Sequence, residues 1–131
     1  MTSILLVDDD PLQASHILSV LEQRFGDIRR VYDAAEALCL IEQRGFADNL
    51  QLVISGHHLP GTGGPPFVNE LRSRAPDLPI LVLGAPGESP ADYEEAHVCF
   101  LAKPFAAIRM LNLASWMLAD PKAAVAQAAV A

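Results

Sequence analysis

The chain has 131 residues, 51% hydrophobic and 19% charged, which suits one domain with a buried core and excludes a disordered polymer. Nine Lys and Arg stand against sixteen Asp and Glu, for a net charge of −7. That balance argues against nucleic acid or an anionic membrane as the main partner, because both reward clustered positive charge.

No apolar run approaches the ~18 residues of a membrane span. The opening MTSILLVDDD meets three acids where a signal peptide would carry basic residues. The cytoplasm is therefore the expected compartment. Four nearly continuous apolar runs, at residues 4–7, 52–54, 80–83 and 98–102, read as parallel strands covered on both faces. Residues 27–32 form a weaker fifth candidate, with Ile28 and Val31 as its apolar members.

Helix-start chemistry fills the gaps. Asp10-Pro11 offers an N-cap with proline at N1, and Gln13 completes a capping box before a helix over residues 12–25. Asp33 and Glu36 repeat the box before residues 37–44, where Gly45 is the expected stop. A third helix spans residues 67–74 after a Gly- and Pro-rich loop. A short fourth opens at Ser89-Pro90 and runs to Ala96, and a fifth spans 105–119. This (βα)5 order predicts an open, doubly wound α/β parallel sheet with helices on both faces and working groups at the carboxyl ends of the strands. Residues 1–119 are read as the domain and 120–131 as an alanine-rich tail, broken from the last helix by Asp120-Pro121. Cys39 and Cys99 lack any CxxC or zinc spacing and are expected to be free thiols.

The strand ends carry the chemistry. The first ends in Val7-Asp8-Asp9-Asp10, the third in Ser55-Gly56-His57-His58, the fourth in Leu83-Gly84-Ala85, and the fifth leads into Lys103-Pro104-Phe105. Clustered carboxylates facing one lysine suit Mg²⁺ and a phosphoryl oxygen. Asp10 reads better as a helix cap than as a metal ligand.

The segments ILLVDDDP, QLVISGHHLPGTGG and FLAKPF, in register on a (βα)5 pattern, resemble the receiver domain of bacterial two-component response regulators (CheY-like) over residues 3–119. The resemblance implies a flavodoxin-like sheet of strand order 2-1-3-4-5. It maps metal-binding carboxylates onto Asp8 and Asp9, a backbone metal ligand onto His58, the pocket lysine onto Lys103 and the aromatic switch onto Phe100.

Two departures stand out. The phosphoacceptor position is Gly56, and the strand-four hydroxyl position is Gly84. Glycine has no side chain to attack a phosphoryl group, and Gly84 offers no hydroxyl to bond one. Ser55 points to the other face of its strand by the period-two rule and is expected to pack or bond to backbone. The segment from Gly84 to Lys103 is also a few residues shorter than the resemblance implies, which clips the fourth helix.

The resulting expectation is an atypical, phosphorylation-independent receiver, not an enzyme, that docks signalling proteins (a histidine kinase or a downstream effector) through residues 89–119. It requires no cofactor, admits weak Mg²⁺ binding, and leaves a homodimer open. The alternative is a sensor of a small anion or divalent metal in the vacated pocket. Lys103, without an acceptor carboxylate beside it, is expected to pair directly with Asp8 or Asp9.

Overall fold

Five short segments pair into one parallel sheet: β1 (Ile4–Val7), β2 (Ile28–Val31), β3 (Leu52–Gly56), β4 (Ile80–Gly84) and β5 (Cys99–Ala102). The computed structural model describes residues 3–56, 59, 63–84 and 90–126, leaving aside the side chains of Glu94 and Glu95. The strand order is 2-1-3-4-5, the doubly wound order implied by the resemblance. Ile4 stands opposite both Ile28 and Leu52, Val53 opposite Ile80, and Leu81 opposite Cys99.

Helices cover both faces. One face carries α1 (Pro11–Leu21), α5 (Ala107–Ala119) and α6 (Pro121–Ala126), packed on Ile4, Leu6, Leu52, Ile54, Leu81 and Leu101. The other carries α2 (Ala34–Ile41), α4 (Gly64–Arg74) and a 3-10 helix over Pro90–Ala96, packed on Leu5, Val7, Val53 and Val82. A short helix, α3 (Arg44–Ala47), follows α2. The continuous apolar runs are explained by this double covering: the central strands have no solvent face on which polar residues would alternate.

Several boundaries differ from the sequence expectation, each for a local reason. α1 ends at Leu21 because residues 22–25 close into a turn, with Arg24 and Phe25 both donating to the Leu21 carbonyl, which returns the chain toward β2. Gly45 is not the stop of α2. That helix ends at Ile41, and Gly45 lies inside α3, whose turn forms when Phe46 and Ala47 donate to the Gln43 carbonyl and Phe46 packs against the core. α5 begins at Ala107 rather than residue 105, since Phe105 is drawn onto the α1–α5 core ahead of the helix.

Among the described residues between β4 and β5, the fourth helix is a 3-10 helix over Pro90–Ala96. α6 closes over β5, with Ala124 1% exposed and its carbonyl 3.9 Å from the Cys99 sulfur. Cys39 is exposed on α2, Cys99 is buried on β5, and neither forms a disulfide.

Candidate functional site

Alternation along the strands decides which groups meet. Leu6, Ile54 and Leu101 all pack on the α1–α5 face, so Asp8, Gly56 and Lys103, two residues further on, project to that same side at the carboxyl edge. Ser55 and Gly84 project to the other side. The Ser55 hydroxyl is fully buried and donates to the Gly56 carbonyl at 2.9 Å, the backbone bond expected of it.

Asp8 and Lys103 are brought together, but not into direct contact. Gln13, on the first turn of α1, stands between them. Its Nε2 donates to Asp8 Oδ2 at 2.7 Å, while its Oε1 accepts from Lys103 Nζ at 2.5 Å. The other Asp8 oxygen accepts the Asp10 backbone N–H at 3.0 Å. The direct Lys103–Asp pair expected from sequence is therefore replaced by a relay. An amide satisfies both charges at once, with its acceptor toward the ammonium and its donor toward the carboxylate. Among the described residues the ion pairs lie elsewhere, between Arg74 and both Glu42 and Glu70.

The capping box is also rearranged. Asp10 caps α1 as expected, its Oδ1 accepting from the N–H groups of Leu12 and Gln13. The reach back to the Asp10 N–H comes from Asp8 instead of Gln13, which frees Gln13 for the relay. Asp8 is 3% exposed and Asp9 is exposed. Burial pushes the Lys103 ammonium below its usual pKa, and Asp8 and Asp10 partly restore it.

Gly56 has room for a Cβ beside this relay. A Cβ built there would meet the Val7 carbonyl at 3.9 Å and Asp8 Cγ at 4.0 Å, ordinary contact distances. Gly84 is the opposite case. A Cβ there would stand 2.1 Å from Phe100 Cζ and 2.9 Å from both Cε atoms. Phe100 is opposite Val82 while Gly84 is opposite Ala102, so the ring leans diagonally across two strands into the space that glycine leaves. Phe100 is 2% exposed and packs its other side on Tyr93, ring centroids 5.8 Å apart.

Both Asp8 oxygens are engaged by protein donors, and Asp9 points to solvent. Among the described residues no group of three His, Cys, Asp or Glu converges on a metal-sized space. His58 lies outside the described residues, as do His57 and Gly61. A cavity of about 310 Å³ does open beside Lys103, between α1 and the start of α5, lined also by Gln13, His16, Ile17, Phe105 and Met110.

Sequence reasoning missed two residues. Gln13 was visible only as part of a capping box, and its amide sits within reach of Lys103 only once α1 packs beside α5. Arg72 carried no motif at all. Its guanidinium donates to the carbonyls of Ala75, Pro76, Leu78, Ala96 and His97, tying the end of α4 to the end of the 3-10 helix. His97 is held there in the left-handed region, at φ 53°.

Known proteins share this architecture. Residues 4–115 match the family described as the response regulator receiver domain. The C4-dicarboxylate transport transcriptional regulatory protein DctD of Rhizobium meliloti is 30% identical over 115 residues, 86% of this chain and 24% of that protein. The response regulator protein FleR of Pseudomonas aeruginosa is 30% identical over 113 residues, 84% of this chain and 23% of that protein. The chain thus spans about a quarter of the length of either relative. The receiver domain of NtrX from Brucella abortus superposes with a TM-score of 0.76 at 26% identity, covering 89% of this chain and 98% of that one. With the strand order, the acidic end of β1 and the lysine after β5 all in register, the chain belongs to the response regulator receiver domain family.

Proposed function

We propose that this receiver domain is a pseudo-receiver, which serves two-component signalling by docking to protein partners and takes no phosphoryl group at the strand-three position. The observation that carries this reading is Gly56. It ends β3 beside Asp8 where an acceptor carboxylate would stand, and glycine has no side chain to act as a nucleophile. The lysine supports the same reading, since it is engaged by the Gln13 amide. The docking face is assigned to residues 89–119, of which Ser89 lies outside the described residues, and the partner to a histidine kinase or a downstream effector. The module works in the cytoplasm as a non-enzymatic component.

The test is incubation with acetyl phosphate and Mg²⁺ followed by intact-mass measurement. No mass gain is expected. An aspartyl phosphate mapped to Asp8 or Asp9 would overturn the reading.

A second reading, a sensor of a small anion, is favoured by one observation: the cavity of about 310 Å³ that opens beside Lys103 and His16. Calorimetric titration with phosphate and small carboxylates separates it from pure docking. Heat that disappears in Lys103→Ala supports a sensor. Its absence supports docking alone.

A further inference from the structure

The contact between Gly84 and Phe100 joins two residues on the opposite face of the sheet from the Asp8–Gln13–Lys103 relay. The Phe100 ring does more than pack near Gly84. Its Cζ occupies the volume in which a Cβ at position 84 would stand, 2.1 Å from the ideal Cβ site. Real Cβ atoms do not tolerate such approaches, so the ring position and a side chain at residue 84 exclude each other. Tyr93 on the 3-10 helix closes the ring from the other side, and Ala96 and Val98 belong to the same buried cluster.

We infer that Gly84 and Phe100 form a steric lock, which holds the face built by the 3-10 helix and β5 in one conformation irrespective of what happens at Asp8 and Lys103. The inference rests on the pseudo-receiver reading and deepens it, by saying why docking needs no chemical input. β5 is an edge strand, so the alternative for the ring is to turn outward to solvent. That move exposes a large apolar surface and leaves behind a notch that glycine cannot fill. The locked ring therefore keeps Tyr93, and with it the 3-10 helix, in register with β5. Arg72 reinforces the same junction by gripping the Ala96 and His97 carbonyls. The lock also gives a physical reason for glycine at residue 84: a larger residue there forces the ring out.

The experiment reads the ring directly. Aromatic ¹³C relaxation dispersion at Phe100 Cζ is insensitive to ring flipping and reports exchange between ring positions on the slower conformational timescale. The parent is expected to show one Cζ resonance without exchange, at the same shift in Asp8→Asn. Gly84→Ala is expected to move that resonance and to lower Tm by about 5–10 °C. So that the test stands even where Gly84→Ala alone does not fold, the same substitution is made in a Phe100→Leu background. There the smaller side chain relieves the clash, and adding alanine at residue 84 should cost far less than in the parent. Exchange at Phe100 Cζ in the parent, a shift in Asp8→Asn, or an equal cost of Gly84→Ala in both backgrounds overturns the lock. Phosphoryl uptake by the parent overturns the pseudo-receiver reading instead, and the two failures are read by separate measurements.

Discussion

Replacing Gln13 by alanine should cost more stability than replacing Lys103, although Lys103 carries the charge. Gln13 makes two bonds to charged groups, to Asp8 Oδ2 at 2.7 Å and from Lys103 Nζ at 2.5 Å. Hydrogen bonds to charged groups contribute about 1.5–3 kcal/mol each when sheltered. Asp8 is 3% exposed, so its lost donor counts nearly in full, at ~2 kcal/mol. Lys103 is half-buried and water recovers part of its bond, leaving about 0.5–1 kcal/mol.

Alanine returns a few tenths through helix propensity, so Gln13→Ala should lose about 2–3 kcal/mol. That corresponds to roughly 8–12 °C in Tm for a domain of this size. Lys103→Ala loses one solvent-shared bond and also sheds the burial penalty on its ammonium, for a net loss of about 1 kcal/mol or less. Urea denaturation of both variants and of the double variant measures the order and the coupling. If Lys103→Ala costs the ~3–5 kcal/mol of a broken buried pair and Gln13→Ala almost nothing, the relay is refuted and a direct pair operates.

The pH dependence gives a second reading of the same group. Burial lowers the Lys103 pKa from 10.5, so the folded state binds that proton less tightly than the unfolded chain. The penalty is fully present below the folded pKa and is relieved as pH rises from there toward 10.5. The parent should therefore gain stability relative to Lys103→Met across that alkaline window. A gain on acidification would contradict it.

The remaining predictions concern the scaffold. Arg72→Ala removes five bonds to backbone carbonyls and should cost at least ~3 kcal/mol by urea denaturation; Arg72→Lys, which lacks the planar fork, should recover less than half of it. In a native thiol titration Cys39 should react promptly and Cys99 only after denaturation, as their exposed and buried positions require; equal rates would place β5 and α6 differently.

Much of this fold was legible because its signals are local. Continuous apolar runs with no polar alternation mark strands covered on both faces, and residues 4–7 and 80–83 needed nothing more than their own composition. Asp10 and Asp33 announced their helices because a cap bonds to N–H groups within three residues of itself. Gly56 and Gly84 were visible as departures because the motifs around them are contiguous. Gly45 misled for the complementary reason: nothing nearby in the chain reveals that Phe46 will be drawn to the core and wind α3 around that glycine.

Only tertiary structure decided what the retained residues do. Sequence placed Asp8 and Lys103 at the carboxyl ends of two strands of one sheet, and charge alone then suggests a direct pair. The α1 helix, packed beside α5, puts the Gln13 amide between them, and 90 residues of separation hide that contact from any local pattern. Phe100 and Gly84 lie 16 residues apart in adjacent strands, and the register of β4 against β5, not the identity of either residue, brings the ring onto the glycine. Arg72 shows the limit most clearly: its five carbonyl partners come from two chain segments, and backbone carbonyls carry no sequence signature, so only the folded arrangement makes that arginine a clamp.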